Sequence, residues 1–197
     1  MKFDFCGQYK FDDAVLDYGW IKGNEKIVFI KAGLGGDFRG YDNKYVKIAQ
    51  RLNDKYGCSV VSVSNPNVKS HTFVHDKKEI EDFILAGDYN SPKLYFFGHS
   101  NGGVKGLELA SSGIIFKRMI LVNMPLMINF HKTIKMINSI PNTEVLAVYG
   151  EKDPSFAYLP FLHGKCANLV VSSVSNADHN FKGMMDEFIG LSEYLMK

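Results

Sequence analysis

A glycine-rich run, GHSNGG at positions 98–103, contains the residue with the clearest chemical potential, Ser100. The run follows an apolar stretch typical of a buried strand, and the residues after it have the apolar spacing of a helix. A serine at the tip of a sharp strand-to-helix turn has a strained backbone, and glycines are needed because strand and helix nearly touch there. The pattern predicts a turn that holds the Ser100 hydroxyl clear of its own backbone, as a nucleophile requires. The alternative is that Ser100 acts only as a helix N-cap. That role does not explain the three glycines, which are costly without a close-packing reason.

A serine hydroxyl is a weak nucleophile near neutral pH, and it needs a base whose tautomer is fixed by a third group. Asp153 follows an apolar run at 144–149, and His179 follows another at 168–174. The carboxyl ends of parallel strands lie at one edge of a sheet, so Ser100, Asp153 and His179 can converge there. These three residues are the predicted catalytic group.

Other acids and histidines compete for these two positions: Glu151, Asp178, His99 and His163. The acid directly before His179 is disfavoured because adjacent side chains in an extended turn usually point apart. One histidine precedes the last predicted strand and therefore lies in the wrong loop. The histidine directly before Ser100 is expected to be a buried structural residue rather than a second base.

Short apolar runs alternate with helical patterns along the chain, which is typical of a largely parallel α/β sheet. The predicted core strands lie at 26–32, 59–63, 93–97, 119–122, 144–149 and 168–174. Helices are predicted at 41–56, with Tyr41 on the buried face, at 77–86, and as a closing helix over 184–195. An antiparallel hairpin of residues 2–5 and 14–20 is expected at the sheet edge. Without a linker or an internal repeat, residues 1–197 are predicted to form a single domain.

Three motifs together resemble those of the α/β-hydrolase superfamily: GHSNGG, GEKD at 150–153 and ADHN at 177–180. The resemblance covers the chain from about residue 26 to the C-terminus. It implies the α/β-hydrolase fold, with a mostly parallel central sheet, helices on both faces and a minimal cap or none. It also implies a serine hydrolase in which Ser100 is the nucleophile, His179 the general base and then acid, and Asp153 the group that orients His179. No cofactor is implied.

Such an enzyme also stabilises a negatively charged oxygen with backbone N–H groups. The resemblance assigns one donor to Asn101, directly after the serine, and the second to Leu34 in the AGLGG loop at 32–36. Ala32 stands where the family usually has histidine, so this loop must be braced in another way. A flexible glycine loop without this role is the alternative. A dinucleotide fingerprint is excluded because Phe38 stands where that pattern needs glycine.

The interval at 123–143 is long enough for one helix but too short for a cap domain, which predicts an open or lightly covered site. Two apolar stretches, one with Leu126 and Phe130 and the other with Phe156, could line an acyl pocket for an apolar or aromatic substrate. They could equally be ordinary core or a surface patch. No cationic cluster lies near the three loops, which favours a small carboxylic ester or thioester over a phosphorylated or strongly anionic substrate.

The same catalytic group could serve an acyltransferase or a lactonase, because water, alcohols and amines attack the same acyl-enzyme. A non-catalytic protein that binds a small ligand on the same fold is the remaining alternative. Such proteins usually lose a member of the catalytic group, and all three members are present here.

Composition narrows the possible partners. Hydrophobic residues make up 46% of the chain, charged residues 22%, and the net charge is +2, which fits a soluble globular protein and argues against nucleic-acid binding. Neither a signal peptide nor a membrane span is predicted, because an acid interrupts the N-terminal apolar run and the sequence has no long apolar stretch.

The three cysteines form no pair at close spacing, so reduced, mostly buried thiols and a cytoplasmic location are expected. His71 and His75 lack a carboxylate at metalloprotease spacing, so no metal site is expected. No particular oligomeric state is predicted.

Overall fold

Eight strands form one mixed sheet in the order β1-β2-β4-β3-β5-β6-β7-β8. The computed structural model describes residues 2–11, 14–68 and 70–197. The strands are β1 (Phe5–Phe11), β2 (Ala14–Ile21), β3 (Asn24–Lys31), β4 (Cys58–Val63), β5 (Lys93–His99), β6 (Phe116–Val122), β7 (Glu144–Gly150) and β8 (Leu169–Val174). β1 and β2 pair antiparallel, β2 joins β4 antiparallel, and all remaining pairs are parallel. The mostly parallel sheet predicted from the sequence is confirmed.

Helices cover both faces of this sheet. They are α1 (Lys44–Tyr56), α2 (Phe73–Gly87), α3 (Asn101–Ser111), α4 (Leu126–Asn138), α5 (Leu159–Leu162) and α6 (Met185–Leu191). α1 and α6 contribute to one apolar layer, and α2, α3 and α4 contribute to the other. Short 3-10 turns at Tyr41–Asn43, Pro154–Tyr158 and Ser192–Met196 complete the helical structure.

The central strands are buried on both faces because their side chains alternate between these two layers. In β3, Ile27 and Phe29 enter the layer beneath α2 and α3, whereas Val28 and Ile30 enter the layer beneath α1 and α6. Burial of one such side chain stabilises the fold by about 1.5–3 kcal/mol. The two layers therefore supply the stability that holds the loops at the strand ends in place.

The N-terminal hairpin lies at the sheet edge as predicted, but its first strand differs from the prediction. β1 spans Phe5–Phe11 instead of residues 2–5, with Phe5 opposite Trp20 in β2. All side chains of β1 are exposed or only partly buried. The core strands are recognisable in the sequence by continuous apolar runs, and an edge strand without a buried face has no such run. The bounds of β1 were therefore not predictable from apolar patterning.

The beginning of α1 also differs from the prediction. Tyr41 is 64% exposed and belongs to a separate 3-10 turn, so its placement on the buried helix face was wrong. Asp42 and Asn43 both have a φ of +53°, a left-handed conformation that interrupts the helix. The regular helix therefore begins at Lys44.

α2 begins at Phe73, earlier than the predicted residue 77. Thr72 precedes the helix, and its backbone N–H donates to His75 Nδ1 at 3.1 Å. This bond satisfies a donor that the first helical turn leaves without a partner. Ile80 and Phe83 are buried on the inner face of α2, as predicted.

The interval at 123–143 contains a single helix, α4, and within this fully described stretch there is no cap domain. Cys58 and Cys166 are buried, whereas Cys6 is exposed, and all three thiols are free. The expectation of buried thiols therefore holds for two of the three. Of the helices in the described part of the chain, none combines the length and the apolar character that a membrane span needs.

Candidate active site

Ser100 lies at the tip of a tight turn between β5 and α3. Its φ is +55°, in a region that residues other than glycine rarely occupy. A Cβ on Gly98 would lie 2.6 Å from Gly103 Cα, and one on Gly102 would meet the carbonyl oxygens of Lys31 and Ala32. Glycine is therefore required at both positions, and the turn has the geometry expected from its sequence.

His179 lies in the loop between β8 and α6 and faces this serine. Its Nε2 lies 3.1 Å from Ser100 Oγ, and its Nδ1 lies 2.5 Å from Asp153 Oδ2. Nδ1–H donates to the carboxylate, which leaves Nε2 free to accept the serine proton. The structure brings together the three residues predicted as the catalytic group.

The environments of Asp153 and His179 differ. The Asp153 side chain is 1% exposed, and its second oxygen accepts a hydrogen bond from the Ser155 backbone N–H at 2.7 Å. The His179 side chain is 42% exposed. Asp153 is thus held in one orientation inside the protein, while the imidazole is open to a substrate.

The competing acids are occupied elsewhere. Glu151 accepts hydrogen bonds from the Ser175 hydroxyl and the Asn176 backbone, away from His179. Asp178 Oδ1 accepts from the backbone N–H groups of Asn180 and Lys182, and these bonds lower the pKa of Asp178. His163 is exposed at the end of α5.

His99 is a buried structural histidine, as expected from the sequence. Its Nε2–H donates to the carbonyl oxygen of His179 at 2.8 Å, and the hydroxyl of Tyr45 donates to its Nδ1 at 3.3 Å. Burial, together with the nearby charge of Lys44, lowers the pKa of His99 to about 3. His99 is therefore neutral at physiological pH and holds the loop of His179 in place.

Asn123 is a second brace for the same loop, and sequence reasoning did not identify it. Its side-chain amide donates to the carbonyl oxygen of His179 at 2.9 Å, and its Oδ1 accepts from the backbone N–H of Gly150 at 2.8 Å. Asn123 follows β6 directly and has a φ of +48°. A polar residue at the end of a buried strand was the available signal, but neither of its partners is near it in the chain.

The loop at 32–36 packs against the serine turn. A Cβ on Gly33 would lie 3.2 Å from Ser100 Cβ, so the loop backbone approaches the nucleophile closely. Among the described residues, no hydrogen bond is donated by the Leu34 N–H. Asn101 is the first residue of α3, where helix geometry leaves the N–H without an intrahelical partner. Both predicted donors are thus positioned at the loop and turn that flank Ser100.

Asn65 supplies the bracing that the loop needs in the absence of a histidine at position 32. Its side-chain amide donates to the carbonyl oxygen of Ala32 at 3.0 Å and to Asn101 Oδ1 at 3.1 Å. Its backbone oxygen also accepts from the Gly35 N–H at 2.7 Å. One buried asparagine therefore connects the loop at 32–36 to the serine turn.

An open pocket of about 420 Å³ contains Ser100 and His179. Its other lining residues are His99, Asn180, the loop at 33–37 and the region at the start of α1, including Lys44 and Tyr45. No cluster of charges in the sequence predicted a cation at this pocket, because Lys44 is single and lies far from the three motif loops in the chain.

The three predicted substrate-binding residues do not line this pocket. Leu126 is fully buried in the core because it lies on the face of α4 that packs against the sheet. Phe130 lines a separate cavity of about 440 Å³ with Met127 and Tyr158, and Phe156 packs against the core. A substrate contact by any of them stays a prediction. No group of three potential metal ligands occurs in the portion of the chain that the structure describes.

The sequence matches no protein-family model and no curated protein. Solved structures nevertheless share its architecture. A dienelactone hydrolase from Anabaena variabilis aligns with a TM-score of 0.74 at 15% identity, over 98% of this chain and 96% of that chain. Est1E from Butyrivibrio proteoclasticus, in a structure with ferulic acid bound, has a TM-score of 0.74 at 15% identity, over 96% of this chain and 97% of that one.

A third structure, an α/β serine hydrolase without a lid from Xanthomonas campestris, has a TM-score of 0.70 at 15% identity, over 98% of this chain and 93% of that chain. These likenesses extend over nearly the whole of each chain. The protein therefore has the α/β-hydrolase fold that its three motifs predicted.

Proposed function

We propose that this protein is a serine hydrolase that cleaves a carboxylic ester or thioester through an acyl-enzyme on Ser100. The observation that carries the proposal is the continuous hydrogen-bonded series Ser100–His179–Asp153. A serine, an imidazole and a buried carboxylate in this order are the groups that nucleophilic acyl transfer needs.

In the first step, Ser100 Oγ attacks the acyl carbon while His179 Nε2 accepts the hydroxyl proton. Asp153 keeps the imidazole in the correct tautomer and stabilises the imidazolium that forms. The negative charge on the former carbonyl oxygen is stabilised by the N–H groups of Asn101 and Leu34 and by the positive end of the α3 dipole. His179 then gives its proton to the leaving alcohol or thiol.

In the second step, water attacks the acyl-enzyme, and His179 accepts a proton from that water. Collapse of the second intermediate releases the acid and returns the proton to Ser100. The pocket around the nucleophile is open, so water can reach the acyl group. Ferulic acid, bound in the structure of one relative, is an aromatic carboxylic acid. Its presence there supports an apolar or aromatic acyl group for this protein too.

A fluorophosphonate probe tests the proposal, because it reacts only with an activated serine. Wild type is expected to be labelled at Ser100, while Ser100→Ala stays unlabelled. Ser112→Ala is the matched control, since Ser112 lies at the far end of α3, and it should be labelled like wild type. Equal labelling of wild type and Ser100→Ala, together with no turnover of short-chain p-nitrophenyl esters, would reduce the protein to a binding role on this fold.

A further inference from the structure

A buried lysine lines the pocket at Ser100, and within the described part of the chain it has no acidic partner. Lys44 is 3% exposed. Its Nζ lies 4.5 Å from the centroid of the Phe188 ring and 5.3 Å from that of Tyr45. Across residues 2–11, 14–68 and 70–197, no hydrogen bond and no carboxylate within 4.0 Å is found for this ammonium group. Among the described residues, two aromatic faces are therefore the specific contacts of this ammonium group.

Lys31 is a second buried lysine in this fold, and it differs from Lys44 because it has an acidic partner. It is also 3% exposed, but its Nζ lies 2.5 Å from Asp76 Oδ1. A buried cation without such a partner costs several kcal/mol, and cation–π contacts offset only part of that cost. Lys44 also occupies the first position of α1, where the helix dipole disfavours positive charge and the first turn contains no acid.

The nearest acids do not neutralise Lys44. The charge of Asp178 acts on it from beyond ion-pair distance, and Oδ1 of Asp178 accepts two backbone hydrogen bonds. Asp37, which lines the same pocket, likewise accepts from the backbone N–H groups of Arg39 and Gly40. Burial lowers the pKa of Lys44 to about 8, so the group remains largely protonated at neutral pH.

We propose that Lys44 binds a carboxylate of the substrate, so that the enzyme acts on esters or thioesters that carry a carboxylate besides the scissile bond. This inference rests on the function proposed above and names its substrate class. Asp37 lies in the same pocket and repels any anion, but it repels a phosphate dianion about twice as strongly as a carboxylate, so a singly charged group matches one lysine better. An anion here gains the attraction of a cation that is already desolvated.

Two matched pairs of esters test the inference. Mono-p-nitrophenyl glutarate and p-nitrophenyl pentanoate differ only by a terminal carboxylate on the acyl side. Para-acetoxybenzoate and para-tolyl acetate differ in the same way on the alcohol side. In at least one pair, the ratio of kcat/KM for the anionic ester to that for the neutral ester should fall at least tenfold in Lys44→Met, while Lys44→Arg should retain most of it.

Lys47→Met is the control variant, because Lys47 lies one turn further along α1 in a surface ion pair with Asp42. Its ratios should equal those of wild type. Thermal melts followed by circular dichroism establish that each variant is folded. Ratios that agree within twofold between wild type and Lys44→Met, for both pairs, would overturn the inference while leaving the hydrolase proposal intact.

Binding is measured separately in Ser100→Ala, which cannot form an acyl-enzyme. Calorimetric titration with the same esters should show that adding Lys44→Met weakens the carboxylate ester at least tenfold relative to its neutral partner. Equal binding of charged and neutral esters would count against Lys44. If the carboxylate esters bind preferentially but wild type turns over none of the esters, the proposed hydrolysis would be refuted while Lys44 would still be supported as a carboxylate-binding residue.

Discussion

Two histidine–aspartate pairs occur in the part of the chain that the structure describes, and they differ in what the second imidazole nitrogen faces. In the first, His179 donates Nδ1–H to Asp153 and presents Nε2 to Ser100. In the second, His71 donates Nε2–H to Asp76 at 2.9 Å, and its side chain is 1% exposed. The first imidazole has a free nitrogen at a pocket, whereas the second is sealed in the interior.

The two carboxylates also differ in what neutralises them. Asp76 shares its Oδ1 with the ammonium of Lys31 at 2.5 Å, and the charge of Lys31 contributes to lowering the pKa of Asp76 to about 2 against the effect of burial. The Oδ1 of Asp153 instead accepts a hydrogen bond from the neutral backbone N–H of Ser155. Its charge therefore remains available to the imidazolium of His179. The third partner and the exposure of the ring, rather than the pair itself, distinguish a catalytic arrangement from a structural one.

Asp153→Asn should produce the largest effect. The amide can donate to Nδ1 and so favour the tautomer with the proton on Nε2, which cannot accept from Ser100. We expect kcat/KM for a p-nitrophenyl ester to fall about 10³–10⁴-fold. Asp76→Asn is the matched control and should keep activity near that of wild type below its melting temperature. A loss of less than tenfold in Asp153→Asn would mean that the two pairs do not differ as argued above.

Asp76→Asn should instead reduce stability. It leaves Lys31 buried without a carboxylate at 2.5 Å. Breaking a buried ion pair from one side typically costs about 3–5 kcal/mol. Urea unfolding would measure this loss as a lower midpoint at an unchanged m-value. The double variant Lys31→Met with Asp76→Leu should recover most of it, and a double variant no more stable than Asp76→Asn would contradict the ion-pair explanation.

The His179–Asp153 pair was predictable from the sequence, but the His71–Asp76 pair was not. Ser100, Asp153 and His179 each follow a core strand in a short loop, so their convergence depends only on the parallel sheet. Lys31 and Asp76 lie on a strand and a helix whose contact no local pattern specifies. The same limit explains Lys44, whose burial depends on Phe188, a residue near the other end of the chain.

The apolar stretches after Asn123 and Asp153 illustrate a further limit. Apolar spacing identifies a buried face, but it does not distinguish a face that packs on the sheet from one that lines a pocket. Leu126 is fully buried in the core for this reason. Conversely, the polar brace Asn65 was unpredictable because its partners come from two other loops, although the need for some brace followed from Ala32.

Glu79 on α2 is buried within reach of the charges of Lys31 and Asp76, and it makes the stability of the protein sensitive to pH. Burial raises the pKa of Glu79 from its ordinary value to about 8. The native state then holds a proton that the unfolded chain releases, so the free energy of unfolding should decrease as pH rises from about 5 to 8 and level off above that. Glu79→Gln removes this titration and should flatten the decrease by at least about 1 kcal/mol.

Urea unfolding at several pH values would measure the slope in both proteins. The titration of Asp76 changes the free energy of unfolding in the opposite direction. Because the pKa of Asp76 is lowered in the fold, its contribution to stability is lost only as pH falls below about 4. Exposed Glu81→Gln on the same helix is the control and should leave the slope unchanged. A slope identical in wild type and Glu79→Gln would show that this carboxyl ionises normally in the fold.

The smallest effect is expected at His99, which positions the loop of His179 through a hydrogen bond to its carbonyl oxygen. His99→Phe removes one of the two side-chain hydrogen bonds on the His179 carbonyl and leaves the bond from Asn123. One such bond is worth about 1–1.5 kcal/mol, so kcat should fall about tenfold with little change in KM. Because His99 is neutral at physiological pH, the pH profile of kcat should keep its shape. A loss of activity as large as that of Asp153→Asn, or a shifted pH profile, would mean that His99 takes part in the proton transfer itself. Contact with a carboxylate and a serine would then not be enough to distinguish His179 from the other histidines.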